Sequence, residues 1–234
     1  MGDHKILNII IEESKSFNMR SQKIEQHKRN LKLNSVQREI LVGKILGDAH
    51  LETQNNGRTY RLKIEHSIIQ TKYVDWLYEN FKDWVLTPPQ IKLKIVNGRT
   101  SKNIWFQTVS HPALRFYAQQ FYLNSKKKIP KMIKKFLSPR TLAIWFMDDG
   151  SIKSKEHRAL ILNTQCFDKK DLSLLQKGLK TSHNIETRHR YEYGIQLLIP
   201  EPSATRFARI IEPYLLSEFR YKLGKIGLTL LPKE

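Results

Sequence analysis

The sequence has almost no cysteine and no long apolar stretch. Its single cysteine, Cys166, excludes an internal disulfide and a zinc site built from several thiolates. No apolar run approaches the roughly 20 residues that a membrane-spanning helix needs. Hydrophobic residues still make up 40% of the 234 positions, enough for a packed core. We therefore expect a globular protein from a reducing compartment, with no membrane partner.

Acidic residues are scarce relative to basic ones. The chain has 41 lysines and arginines against 22 aspartates and glutamates, which gives a formal net charge of +19. This excess predicts a polyanionic partner, and nucleic acid is favoured over an anionic membrane surface. Glu12 and Glu13 do not suit an acid-poor organellar import sequence, so neither an import nor a secretion signal is predicted.

The order of predicted elements occurs twice along the chain. A basic N-terminal arm covers residues 1–33, and a helix then begins at Asn34-Ser35 and opens a first half at 34–136. Strands, a second helix and a hairpin follow it. The same order recurs in a second half at 137–234, where Ser138-Pro139 begins the helix. This repeat is too long for a solenoid and indicates two similar halves related by an approximate twofold axis.

The first helix of each half ends in an aspartate that a small residue follows. These aspartates, Asp48 and Asp149, are 101 positions apart. Two carboxylates brought together repel each other unless divalent cations lie between them. Oxygen ligands with open positions suit Mg²⁺, which can activate water and stabilise the leaving oxygen in phosphodiester hydrolysis. One helix-terminal aspartate is ordinarily a solvated acid, but a matched pair in a basic chain favours a metal-dependent nuclease.

Small residues predict how these two helices approach each other. Gly43 and Gly47 lie four residues apart on one face of the first helix and permit close contact with another backbone. Ala143 and Met147 have the same spacing in the second helix. We expect the two helices to cross tightly through these four residues.

Both helices resemble the paired motif of the monomeric LAGLIDADG homing endonucleases, and of the mitochondrial omega-type intron endonucleases in particular. The likeness extends from about Val36 to Leu223. It is carried by the segments at 45–49, 84–89, 145–150, 162–165 and 221–223.

This resemblance implies an α+β fold in which an αββαββα unit occurs twice with pseudo-twofold symmetry. Two saddle-shaped antiparallel sheets would bind double-stranded DNA in the major groove. The implied protein is a monomeric, intron-encoded hydrolase that cuts both strands of a long asymmetric target and leaves short 3′ overhangs. Mg²⁺ is the implied cofactor, with Mn²⁺ as a substitute, and a mitochondrial or chloroplast gene is the implied source.

The resemblance also assigns the active-site residues by position. Asp48 and Asp149 are the expected catalytic metal ligands, and Lys127 and Lys222 are the expected catalytic lysines. The register at Lys127 is open by one position, because three lysines are consecutive there. The expected metal site further includes Gly47 and Asp148, although the Asp148 carboxylate is expected to turn elsewhere.

Alternating polar residues on the predicted strands, among them 59–66 and 158–165, suit contacts with base edges and phosphates. His66 lies on the apolar face of its strand and is expected to be a core residue. The expected DNA-binding residues are Arg61, Lys63, Glu65, Lys92, Lys94, Asn163, Gln165, Arg188 and Arg190.

Two other functions are compatible with the same fold. An RNA maturase would bind intron RNA and assist group I intron splicing, and such a protein can keep both motif acids. A DNA-binding regulator with a degenerate nuclease fold would tolerate loss of the acids, and neither is lost.

Overall fold

The computed structural model describes residues 21–96 and 99–228. Residues 21–30 are helical (α1) and belong to the predicted basic arm, whose residues 1–20 lie outside the described part. Leu31 is buried in the core, and the His111 ring donates a hydrogen bond of 3.0 Å to the Lys28 carbonyl. The described end of the arm is therefore packed against the first half. Within the described ranges, no helix is long and apolar enough to cross a membrane.

The first half forms one four-stranded antiparallel sheet with helices before, between and after its strands. The strand order is β1-β2-β4-β3, and a small hairpin of β5 and β6 follows. The elements are α2 (Ser35–Leu46), β1 (His50–Glu52), β2 (Arg61–Ser67), α3 (Thr71–Phe81), β3 (Gln90–Val96), β4 (Arg99–Gln107), α4 (Arg115–Phe121), β5 (Tyr122–Leu123) and β6 (Lys126–Lys127).

The second half repeats this arrangement with the order β7-β8-β10-β9. Its elements are α5 (Pro139–Asp149), β7 (Gly150–Ile152), β8 (Leu160–Leu162), α6 (Lys169–His183), β9 (Arg188–Tyr191), β10 (Ile195–Ile199) and α7 (Ser203–Ile211). A 3₁₀ segment, Ser217–Leu223, and α8 (Gly224–Leu228) complete the described chain. An αββαββα unit thus occurs twice, which confirms the predicted α+β fold.

Capping side chains begin the first helix of each half where the sequence predicts. The Asn34 side chain accepts a hydrogen bond from the Gln37 amide, and the Gln37 side chain accepts one from the Asn34 amide, which together form a capping box. At α5, Ser138 accepts from the Thr141 amide, and Pro139 occupies the first helical position.

The strand predicted at 158–165 is shorter in the structure, where β8 ends at Leu162. The Asn163 amide donates to the Asp149 carbonyl, and the Thr164 hydroxyl donates to the Ile195 carbonyl. These two bonds lie just past the end of β8. Asn163 and Gln165 therefore lie just beyond the strand in which they were predicted.

One apolar core joins the two halves, with α2 and α5 at its centre. Strand residues such as Leu62 and Ile64 in the first sheet, and Leu160 and Leu162 in the second, pack against it. The core continues from Leu31 to Ile226 without a break between the halves. The boundaries of the two halves at 34, 137 and 234 remain predictions.

Helices α2 and α5 cross at the two glycines of α2. A Cβ atom on Gly43 would lie 2.6 Å from the Ile144 Cβ, and one on Gly47 would lie 2.6 Å from the Asp148 Cβ. The predicted role of Ala143 and Met147 at this crossing is wrong by one position. Ile144 and Asp148 face the glycines because they occupy the same motif positions as Gly43 and Gly47, 101 residues later.

Polar contacts hold the other end of this crossing. The Arg140 guanidinium lies 2.6 Å from a Glu39 carboxylate oxygen, and the Thr141 hydroxyl donates to the Glu39 carbonyl at 3.1 Å. Both contacts join the first half to the second, so the orientation of α2 against α5 is fixed at two places.

We predict that Gly43→Ala lowers the free energy of unfolding by about 1–3 kcal/mol, measured by urea denaturation. The added methyl would also lie 2.8 Å from the Thr141 carbonyl oxygen, a backbone atom that cannot move aside. Gly178→Ala in α6 is the control, because its closest contact is the flexible Leu137 Cδ1 at 3.0 Å. Equal effects of the two substitutions would contradict the tight crossing.

Candidate active site

The crossing of α2 and α5 brings the two predicted acids together. Asp149 is the last residue of α5, and Asp48 directly follows the cap of α2 at Gly47. Burial raises the pKa of Asp149 to about 7, with added repulsion from Asp48 and Asp148. Burial also raises the pKa of Asp48, helped by repulsion from Asp148. Three carboxylates therefore share one partly desolvated region, a setting that attracts cations.

A lysine from each half reaches the same region. The Lys127 ammonium, on β6, donates to the Gly47 carbonyl. The Lys222 ammonium, on the 3₁₀ segment, donates to the carbonyls of Met147 at 2.6 Å and Asp148 at 3.1 Å. Burial lowers the pKa of both lysines, and the nearby aspartates oppose this shift. Of the three consecutive lysines, Lys127 is the one in this position, and Lys126 is exposed.

The donor set suits a hard divalent cation. The Asp48 and Asp149 carboxylates offer charged oxygens, and the backbone carbonyls of Gly47 and Asp148 offer neutral ones. In the structure, positively charged lysine ammonium groups already bind both carbonyls. The site therefore accepts positive charge at the positions where the sequence predicts metal ligands.

The carboxylate of Asp148 does not belong to this donor set. It is fully buried and receives hydrogen bonds from the Lys44 ammonium at 2.8 Å, the Tyr73 hydroxyl at 3.0 Å and the Asp48 amide at 3.0 Å. The expectation that this side chain turns elsewhere agrees with the geometry, and only the Asp148 backbone oxygen faces the lysine. The Asp148 carboxylate instead accepts a hydrogen bond from the backbone amide of Asp48, just after the cap of α2.

Lys44 and His66 extend this buried cluster. The Lys44 side chain is fully buried and lies 2.8 Å from His66 Nε2 and 2.7 Å from Asp148 Oδ2. Burial, with repulsion from Lys44, lowers the pKa of His66 to about 4, so the ring is neutral near pH 7. Asp48, His66 and Asp148 offer possible ligand atoms within 4.8 Å of one another, but the Lys44 ammonium occupies the inner side of this triad.

The outer face of the first sheet carries linked charges. Arg61 and Lys63 both donate to Glu52, at 2.9 and 3.1 Å. Partial burial opposes ionisation of Glu52, yet hydrogen bonds from His50, Arg61 and Lys63 lower its pKa to about 2. Glu52 therefore holds the two predicted residues Arg61 and Lys63 in place on this face.

The rest of this face is organised around Glu65. Lys92 forms an ion pair with Glu65, and the Asn103 amide donates to it at 2.7 Å. Lys94 lowers the pKa of Glu65 further, although partial burial opposes the shift. Glu65, Lys92 and Lys94 thus lie together, as their alternation on β2 and β3 predicts.

The second sheet brings together three of its four predicted residues. Arg190 on β9 pairs with Gln196 on β10, and the Gln196 amide donates to the Asn163 side chain at 2.8 Å. Arg188 lies on the same face of β9 two residues earlier and is exposed. Gln165 lies apart from this row, beside Gly194 in the hairpin turn.

Several polar residues on these surfaces were not predicted from the sequence. Alternation along β4 could have identified Asn103, whereas Glu52 and Gln196 have no comparable signal because β1 is short and Gln196 is buried between apolar neighbours. Lys44 and His66 were also missed as site residues. Their contacts join positions 22 and 104 residues apart, which no local pattern indicates.

We predict that Lys44→Met lowers the free energy of unfolding by about 3–5 kcal/mol, because it leaves the Asp148 carboxylate buried without its cation. The double variant with Asp148→Asn is expected to recover part of this loss, as residues in direct contact are not additive. Denaturant titration of the two single variants and the double variant measures the coupling. Additive losses would contradict the ion pair.

Comparison with known proteins agrees with this geometry. Residues 38–207 match the LAGLIDADG DNA endonuclease family. The chain is 30% identical over 212 residues to DNA endonuclease I-ChuI of Chlamydomonas applanata, which covers 83% of this chain and 97% of that protein. It is also 30% identical to the cytochrome b mRNA maturase bI2 of Debaryomyces hansenii, over 83% of this chain and 76% of that protein.

One solved structure has the same fold as this chain over most of the length of both proteins. The homing endonuclease I-WcaI bound to its DNA recognition sequence superposes with a TM-score of 0.80 at 26% identity, over 86% of this chain and 91% of that one. With two motif helices crossing at a shared acidic site and a family match over most of its length, this chain belongs to the LAGLIDADG DNA endonucleases as a monomeric two-motif member.

Proposed function

We propose that this chain is a site-specific homing endonuclease that hydrolyses one phosphodiester bond in each strand of a long, asymmetric DNA target. The observation that carries this proposal is the meeting of Asp48 and Asp149 at the ends of two crossing helices. Their mutual repulsion is a cost to the free protein that bound cations would remove.

The expected cofactor is Mg²⁺, with Mn²⁺ as a substitute. The carboxylates of Asp48 and Asp149 and the carbonyls of Gly47 and Asp148 are the groups that would hold it. When bound, the metal supplies an activated water and neutralises charge on the leaving 3′ oxygen. Lys127 and Lys222 lie beside the acids and can donate hydrogen bonds to phosphate oxygens.

The expected substrate is double-stranded DNA. A net charge of +19 supplies the general affinity for phosphate, and the two sheet faces supply side chains of the types that read base edges. The similarity to I-WcaI, whose structure is bound to its DNA recognition sequence, supports DNA as the substrate. Two half-sites of about one helical turn each give a target on the order of 20 base pairs.

The finer properties rest on the family resemblance. They are short 3′ overhangs, an intron-encoded gene and a mitochondrial or chloroplast source. A chloroplastic pentatricopeptide repeat protein of rice, 25% identical over 86% of this chain, supports an organellar link.

We predict that Asp48→Asn and Asp149→Asn each abolish Mg²⁺-dependent double-strand cleavage, because each removes a charged ligand. Cleavage is measured on a cognate duplex selected from a randomised or intron-junction library, and DNA binding is measured in Ca²⁺. Binding is expected to persist in both variants. Asp75→Asn is the matched control, since Asp75 is an exposed aspartate on α3. Cleavage that survives in both active-site variants would refute their assignment.

The second candidate function is an RNA maturase that assists group I intron splicing. The similarity to a cytochrome b mRNA maturase favours it specifically.

We expect the purified protein to cleave intron-junction DNA and to leave the splicing rate of the intron RNA unchanged. Splicing and cleavage are assayed in parallel with wild type and Asp149→Asn. If the Asn variant accelerates splicing while the wild type fails to cut DNA, the maturase function replaces the nuclease.

A further inference from the structure

We propose that His66 is a positioning residue for Asp48 and that Lys44 sets the tautomer of its ring for this role. The proposal rests on the nuclease function proposed above and extends it to two residues that are not metal ligands. It concerns only one of the two catalytic acids.

Lys44 determines which ring nitrogen of His66 carries the proton. An ammonium group has hydrogens to donate and no lone pair to accept with. Because Lys44 Nζ lies 2.8 Å from His66 Nε2, that nitrogen must accept, and the ring proton must lie on Nδ1. The Lys44 ammonium is itself held by the buried Asp148 carboxylate at 2.7 Å, so it has little freedom to leave the ring.

The protonated nitrogen faces Asp48. His66 Nδ1 lies 3.8 Å from Asp48 Oδ2, a separation that a small rotation of the half-exposed Asp48 side chain would close. In the structure, the Gln70 side chain is the hydrogen-bond acceptor for the His66 ring, and Asp48 would have to take its place. Burial of the ring and packing against Tyr73, with centroids 5.2 Å apart, keep the imidazole in this orientation. A fixed N–H donor beside a metal-ligating carboxylate orients that ligand.

The second half has no histidine–lysine pair at the positions that match His66 and Lys44. In equivalent sheet register, Thr164 corresponds to His66, and its hydroxyl donates to the Ile195 carbonyl at 2.9 Å. Trp145 stands where the first half has Lys44, and its ring is fully buried. The ring N–H donor therefore faces Asp48 and has no counterpart for Asp149 at the matching positions, so a defect at His66 should slow cleavage of one DNA strand more than the other.

Two amide substitutions, each of which mimics one ring nitrogen, separate this role from a structural one. His66→Gln places an amide near Nε2, so it can still accept from Lys44 but loses the donor toward Asp48. His66→Asn places an amide near Nδ1, so it keeps that donor and loses the partner of Lys44. Single-turnover nicking rates are measured separately for each labelled strand in Mg²⁺.

We expect His66→Gln to lower the nicking rate of one strand roughly 10- to 100-fold, the usual effect of losing a group that orients a metal ligand. His66→Asn is expected to remain within a few-fold of wild type on both strands. The proposal fails if His66→Asn is the slower variant, or if both strands slow equally, because either result indicates that His66 serves only to pair with Lys44. Gln70→Ala should not slow either strand.

A second measurement requires neither metal nor cleavage. Long-range ¹H–¹⁵N NMR of the metal-free protein, with His66 assigned by its absence in the two variants, reports which nitrogen is protonated. A proton on Nδ1 is expected, and one on Nε2 would overturn the proposal even if the variants cleave as described. If wild type does not cut DNA at all, the nuclease function fails, while the NMR result still decides the tautomer.

Discussion

The close approach of α2 and α5 is the constraint on which the site depends. It exists because Gly43 and Gly47 have no side chains, so Ile144 and Asp148 can lie against the backbone of the opposite helix. The two helices end at the same side of the crossing, and their terminal acids must therefore meet. Any larger residue at either glycine would separate the helices and the acids together.

Bringing the two acids together has an electrostatic cost, which the surrounding residues partly offset. Burial of the carboxyl, with added repulsion from Asp48 and Asp148, raises the pKa of Asp149 to about 7. Lys127 opposes this shift at Asp149, and Lys127 and Lys222 both lower the pKa of Asp48, while the Asp148 carboxylate is paired with Lys44. The carboxylate of Asp148 is therefore unavailable to a cation, whereas those of Asp48 and Asp149 remain available.

Local patterns predicted the duplicated unit, its helix starts and the two acids, because capping and periodicity act over a few residues. The register between distant elements was harder to predict from the sequence. A spacing of four residues fits several faces of a helix, so the partner of Gly43 was placed one position early, at Ala143 rather than Ile144. The roles of Lys44 and His66 depend on contacts across 104 and 22 positions, and sequence alone gives no sign of them.

The Lys44–Asp148 pair also determines which helix can serve as the partner. Two copies of α2 would set Lys44 against Gly47, which has no carboxylate to offer, and two copies of α5 would set Asp148 against the indole of Trp145. Either self-pairing would bury a charge alone, at a cost of several kcal/mol. The ion pair therefore makes each half selective for the other, which disfavours symmetric association between separate chains and commits the duplicated fold to assembly within a single molecule.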